Sequence, residues 1–382
     1  MNTRYLCVQF SLGIIFGSII ACSPTKFSEV TAPGICNNSV TSCAITNGFI
    51  DVTQNYKIGS GKVDILFVND NSASMSKAQV QLAAKFSGFI QNLDSKSIDY
   101  RISITTTDLS SVTQNGLINF GNGKKFISNI DTNRVTLFNN AIIRNETLAC
   151  EDFIVGMFNT YGTAFQSVSQ YASQYYSKCP SSDTRGINTA NFVVSSNYGS
   201  FMREDANLNV ILISNDNVRQ GAVLETNDRA SAFISMMQDK YPTKYWDFNS
   251  IIVKDNTCKY SQALRNKSNQ VVSNQSGPAI SGGIGVEYAN LSNSAARDLD
   301  SNPRPRGQIL DICESNFSQH FNSMSTQISD EARMFTMNCT PTVAPVISPN
   351  IQHTWRGNKI IFERGAEGTS VSVSYRCYSG PT

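Results

Sequence analysis

Apolar residues are distributed along this chain in three ways. The first is a run from Leu6 to Ile20, interrupted only by Gln9, Ser11, Gly13, Gly17 and Ser18 and preceded by the single charge of Arg4. It has the length of a signal-peptide core and falls short of the ~20 residues a membrane-spanning helix needs. The second pattern is the short continuous run. Val63–Val68 holds one charge, Asp64, as expected of a strand buried on both faces, and Val210–Ile213 and Ile251–Val253 repeat it. Tyr100–Thr107 is a further strand, with Ile102 and Ile104 on one face. The third is helical spacing: Leu82, Phe86, Phe89, Ile90 and Leu93 recur at three and four, and so do Phe165, Val168, Tyr171, Ala172 and Tyr175. Ala230, Phe233, Ile234 and Met237 predict another helix, and Phe317, Phe321, Met324 and Ile328 a last one.

Strand, helix and strand in close succession make a βαβ unit, and its repetition predicts an α/β domain with a doubly wound, mostly parallel sheet. Two long polar stretches, near 108–150 and 255–310, interrupt the pattern as insertions. Pro341, Pro345 and Pro349 mark a break, after which Ile360-Ile361-Phe362 and the alternation of Val371, Val373, Tyr375 and Cys377 predict a small C-terminal β domain. The expected divisions are 1–21 as signal peptide, 22–50 as a flexible tether rich in Ser, Thr and Asn, 51–332 as the α/β domain and 333–382 as the β appendage.

Net charge is +2 with both signs interspersed, and no Lys/Arg-rich block points to nucleic acid. Of ten cysteines, Cys7 lies in the signal core and Cys22 follows it directly. The remaining eight suit disulfides in an oxidising compartment, paired as neighbours along the chain: Cys36–Cys43, Cys150–Cys179, Cys258–Cys313 and Cys339–Cys377. No Cys-x-x-Cys pair is present and only His320 and His353 could join such residues, so a structural zinc site is not expected. As lone histidines without a partner motif, both are expected at the surface.

Ile19-Ile20-Ala21-Cys22 resembles the lipobox of bacterial lipoproteins, which implies cleavage before Cys22 and lipid on that cysteine. Ser23, by the same resemblance, favours the outer membrane over the inner one.

The segment that carries chemistry is Val63 to Met75. At the mouth of the first buried strand it places Asp70, Ser72 and Ser74 in an Asp-x-Ser-x-Ser motif, just before an amphipathic helix. Alternate residues of a tight loop can turn three oxygens to one point, and carboxylate and hydroxyl oxygens suit Mg²⁺. The simpler alternative is a polar loop whose Ser74 or Ser76 caps the helix.

Here the sequence resembles the von Willebrand factor A family, whose first strand ends in this motif and builds a metal-ion-dependent adhesion site. Asp99 to Asp108, Phe201 to Ala206 and Gly357 to Tyr375 look like a subset of bacterial lipoproteins of that family, so the resemblance spans roughly residues 50 to 377. It implies Mg²⁺, or Mn²⁺ or Ca²⁺, as cofactor, and as partner a protein or cell-envelope ligand that presents a carboxylate. It also implies a Thr ligand ahead of a later helix, where Thr160 and Thr163 both stand, each equally readable as a helix N-cap. An acid is implied after the fourth strand. Asn215 occupies that place and Asp216 follows one residue on, so the site is short of charge. Asp108, at the end of the second strand, either assists or makes a turn.

The expected function is therefore non-enzymatic, metal-dependent binding on a lipid anchor. A structural envelope protein with a vestigial site is the first alternative. A cell-wall hydrolase is the second: the sequence lacks the Gly-x-Ser-x-Gly, phosphate-loop and His-Glu-x-x-His motifs, but carboxylates distant in sequence can converge.

Overall fold

The computed structural model describes residues 35–378 apart from 37–39, 59–61, 112–115, 279–282, 295–304 and a few shorter internal stretches. The signal segment 1–21 and Cys22 lie outside the described residues. Strands run β1 (Ser42–Thr46), β2 (Phe49–Lys57), β3 (Lys62–Asn69), β4 (Asp99–Thr106), β5 (Ile127–Ser128), β6 (Asn207–Ser214) and β7 (Trp246–Ile252), followed by shorter ones. The first six helices are α1 (Ser76–Ser95), α2 (Arg134–Ile142), α3 (Asn145–Tyr161), α4 (Ser169–Lys178), α5 (Gly186–Ser196) and α6 (Ala230–Lys240).

The central sheet has the order Ile309–Asp311, β7, β6, β3, β4, β5. All neighbours are parallel except β5 at the edge. Numbered within the sheet this is the doubly wound order 3-2-1-4-5-6, whose sense reverses between β3 and β6. The continuous apolar runs follow from burial on both faces. Ile65 and Phe67 of β3 join Ile211 and Ile213 of β6 under α1, α2 and the helix Phe317–Ala332. Leu66, Val68, Val210 and Leu212 face α5, α6 and the helix Val286–Asn293. The fold class is the one the sequence predicts.

The polar stretch 108–150 is not a bare insertion: it contains β5, α2 and the start of α3. The helix expected from Phe165 is a 3-10 turn, Gly162–Ser167, followed by α4, which buries no residue of its own. Phe165 instead packs with Ala73, Cys150, Ile154 and Met157 beside the motif loop. The helix α5, marked by Ile187, Ala190, Val193 and Val194, is an addition to the predicted set.

The division at residue 51 falls inside β2. That strand pairs along its whole length with Ser370–Tyr378, from Phe49↔Tyr378 to Lys57↔Ser370, and β1 pairs with its other edge. Residues 42–57 therefore share a sheet and a core with the C-terminal strands, and the stretch expected as tether is structured from Ser42 onward. Backbone hydrogen bonding fixes this, since β2 fills both of its edges there. Four disulfides are present, Cys36–Cys43, Cys150–Cys179, Cys258–Cys313 and Cys339–Cys377. No described helix is long and apolar enough to cross a membrane.

Candidate metal centre

The carboxyl ends of β3 and β6 lie side by side where the strand order reverses, the crevice in which open α/β sheets take their ligands. Helices following the two strands leave on opposite faces, so the loops Asp70–Met75 and Ser214–Asn217 meet without a helix between them. The backbone joins them directly: Asp70 N–H donates to the Ile213 carbonyl at 2.9 Å.

Asp70 is buried, and its carboxylate is held at both oxygens. Ser72 N–H donates to Oδ1 at 2.8 Å and the Ser214 hydroxyl to Oδ2 at 2.6 Å. Ser72 Oγ and Ser74 Oγ lie 3.3 Å apart, and the Ser74 hydroxyl donates to Asn215 Oδ1 at 3.2 Å. Neither Ser74 nor Ser76 makes a helix-capping bond; Ser74 is turned across the crevice instead. Asn215 is wholly buried, and its Nδ2 has no hydrogen-bond partner among the described residues.

Electrostatics sharpen the picture. Burial raises the Asp70 carboxyl, with Ser214 and Ser72 opposing. Burial and then the Asp70 charge push Asp216 up to about 8, opposed by the Gly283 N–H. The groups that pull both carboxyls back down are hydroxyls and backbone N–H, not lysine or arginine side chains. A buried acid, Asp70, and a half-buried one, Asp216, that feels its charge, with neutral oxygens beside them, form a donor set suited to a hard divalent cation. The residues present fit such an ion. Asp70, Ser72, Ser74 and the Asn215 and Asp216 pair would hold it.

Thr160 and Thr163 are not drawn in. Both are exposed, and Thr160 closes the last turns of α3 by donating to the Gly156 carbonyl at 2.9 Å. The threonine against the motif is Thr147, fully buried in the first turn of α3. It donates to the Asn71 carbonyl at 2.7 Å and accepts from Gln79 Nε2 at 3.2 Å. Gln79 in turn donates to the Asp70 carbonyl at 2.9 Å and accepts from Arg144 N–H, so α1 and α3 grip the loop together. Sequence signals for Thr147 were faint, because its role depends on where α3 lands. Ser214 was visible beside Asn215. Tyr288, wholly buried, also faces the site: burial and then the Asp70 charge drive its phenol well above the usual range.

Asp108 closes a local turn, accepting from Ser110 N–H and Oγ at 2.9 and 2.6 Å. His320 is buried rather than at the surface, with Nε2 2.9 Å from the Asp311 carbonyl. Elsewhere among the described residues Cys258, Asp311 and Cys313 cluster at metal-binding distances, but the two sulfurs are joined to each other and offer no thiolate.

No protein-family model matches the sequence and no curated protein does. Comparison with solved structures returns distant alignments. A von Willebrand factor type A protein from Catenulispora acidiphila aligns over 87% of this chain and 61% of its own, at 10% identity and a TM-score of 0.34. The pilus adhesin SpaC from Lactobacillus rhamnosus GG aligns over 87% and 42%, at 10% identity and a TM-score of 0.33. Three N-terminal domains of a type V pili tip protein from Porphyromonas gingivalis align over 87% and 64%, at 10% identity and a TM-score of 0.22. In each case the chain spans less than two thirds of the solved chain. The sheet order 3-2-1-4-5-6, with the Asp-x-Ser-x-Ser loop at the mouth of the first strand of that sheet, makes the central domain a doubly wound, mostly parallel α/β fold.

Proposed function

We propose that this protein is an exported adhesion module, lipid-anchored at Cys22 to the cell envelope, whose central domain binds a carboxylate-bearing ligand through a divalent cation. The observation that carries the reading is the meeting of Asp70, Ser72, Ser74 and Asn215 across the strand switch point, with Asp216 one residue on and close enough to feel the Asp70 charge. Asp70 is the charged contact, fixed by Ser72 and Ser214; the two serines add neutral oxygens. A cation bound there supplies positive charge to a ligand carboxylate. Mg²⁺ fits the oxygen set best, with Mn²⁺ and Ca²⁺ as substitutes.

The second reading, a structural envelope protein with a vestigial site, is favoured by Asn215, which keeps an oxygen but not the charge. Calorimetric titration with Mg²⁺ separates the two. Asp70→Ala should abolish binding, while Ser72→Ala or Ser74→Ala should weaken it roughly tenfold, about 1.4 kcal/mol for one neutral contact. Asn215→Asp should tighten it, unless Asp216 already supplies the acid, in which case Asp216→Ala mimics Asp70→Ala. Wild-type protein that binds neither Mg²⁺, Mn²⁺ nor Ca²⁺ leaves only the vestigial reading.

A further inference from the structure

Strand β1, Ser42–Thr46, is the last strand on one side of its four-stranded sheet, and β2 occupies its inner edge along the whole length. No described strand pairs with its outer edge, and all five of its residues are exposed. Such an edge presents unpaired N–H and C=O groups that can take up another strand, and proteins ordinarily guard it with charge, proline or shortness. The opposite edge of the same sheet, Val346–Ser348, is guarded twice over: it is three residues long and sits between Pro345 and Pro349. β1 has five residues, no charge and no proline.

This unguarded strand is complementary to itself. Turned antiparallel about Ala44, Ser42-Cys43-Ala44-Ile45-Thr46 sets Ser42 opposite Thr46 of a second copy, and Cys43 opposite that copy's Ile45. Register with β2 puts Cys43 and Ile45 on the face of Val52 and Ile50, the core face, and Ser42, Ala44 and Thr46 on the other. Hydroxyl therefore meets hydroxyl on the outer face and apolar meets apolar on the core face, pairings that stabilise adjacent strands. Ile45 gains most. It is 52% exposed beside a core that contains Ile50 and Val52, and a second copy would cover it with its Cys36–Cys43 disulfide.

We infer that β1 is a self-association edge: two copies of this chain join β1 to β1 antiparallel, and their four-stranded sheets become one across a two-fold axis. A five-residue strand pair buries far less than the roughly 1,000 Å² of a stable interface. The contact therefore belongs on a surface where both copies are already tethered, which raises their effective concentration. In that respect the inference rests on the proposed anchoring at Cys22. The two Ser42 residues lie about 14 Å apart in the joint, and the chain between Cys22 and Ile35 can span up to ~45 Å, so both copies reach one membrane.

The test displays the mature chain on nickel-chelating vesicles through a hexahistidine tag placed ahead of Ser23. The geometry is then the same whether or not Cys22 carries lipid in the cell, so failure here is separate from failure of the anchor, and Mg²⁺ calorimetry judges the metal site independently. Chains bearing Ser42→Cys and chains bearing Thr46→Cys are mixed and joined with a short bis-maleimide, which leaves the four disulfides intact. The mixture should yield cross-linked dimer about tenfold above either variant alone, because unlike positions face each other while like ones are about 14 Å apart. Adding Ile45→Lys to both places a guarding charge on an exposed position. It should remove the dimer and leave the melting temperature unchanged. Equal dimer in the mixture and in the single variants overturns the antiparallel joint, and so does a mixture indifferent to Ile45→Lys. Chains that stay uncross-linked on the vesicle overturn it too, and leave the edge to a strand from a different protein.

Discussion

Taking metal-free protein from pH 6 to pH 8 should unload the proton held by the acid pair. Asp216 is pushed from an ordinary 3.8 to about 8, first by burial and then by the Asp70 charge. Between those values the folded chain keeps a proton that the unfolded chain has released. The stabilisation is therefore complete below about pH 4 and is lost as pH rises through about 8, at up to ~1.4 kcal/mol per pH unit. Other buried acids also contribute, Asp64 with its carboxyl raised to about 6 by burial among them, so the absolute slope belongs to no single residue. Asp216→Asn isolates the term. From pH 6 to pH 8 in EDTA, wild type should lose roughly 2–3 kcal/mol more unfolding free energy than this variant, by integration of that slope. Saturating Mg²⁺ at pH 8 should restore wild type by about 2.7 kcal/mol at a hundredfold excess over its dissociation constant. Urea unfolding at four pH values, with EDTA and with Mg²⁺, gives all of these differences. Parallel pH curves for wild type and Asp216→Asn would refute the influence of the Asp70 charge and burial on Asp216.

Two further outcomes are expected. Thr147→Val leaves the Asn71 carbonyl and Gln79 short of a buried partner and should cost about 1–3 kcal/mol of stability while weakening Mg²⁺ binding; Thr147→Ser should recover both, and a Val variant unchanged by thermal melting and calorimetry would show that the α3 grip on the loop is idle. Cys22→Ala should abolish incorporation of a clickable fatty acid, leaving an uncleaved precursor or a soluble exported form, and undiminished label would rule out this cysteine as the anchor.

The central sheet was legible because β3, β6 and β7 are buried on both faces, which forces apolar runs that no loop produces. The motif was legible for a related reason: a polar cluster directly after such a run has to sit at the strand mouth. α5 was harder. It starts at Gly186, a poor helix former, and carries Asn and Thr between its apolar positions. The glycine is there because a Cβ would lie 2.6 Å from Leu212 Cδ1, so close packing overrides propensity. The threonine assignment went astray because a residue ahead of a helix looks the same whether the helix begins near the site or away from it. Thr147 is singled out only once α3 docks on the loop. The hairpin of β1 and β2 did leave a signal, Asn47-Gly48, both with positive φ, the turn chemistry of a two-residue hairpin. It was hidden by Gln54, which breaks the apolar alternation of β2 and is satisfied across the sheet by the Tyr375 hydroxyl.

The pairing of β2 with Ser370–Tyr378 also imposes an order of assembly. The two strands touch across a separation of 321 residues, as between Gln54 and Tyr375. Synthesis runs from the N-terminus, so the β1–β2 hairpin closes early on its own short turn and then waits with one edge unfilled. Nothing nearby in sequence can fill it, and long-range pairing of this kind forms slowly. Thr53 and Asn55, set towards the open face of the sheet, keep that waiting edge polar. The Cys339–Cys377 bond lies beyond the same point, so it forms only as the last strand slots in. A chain that stops short of Ser370 would thus lose more than nine residues of sheet: its first hairpin would carry an open edge for as long as it lived, ready to add a strand from another copy.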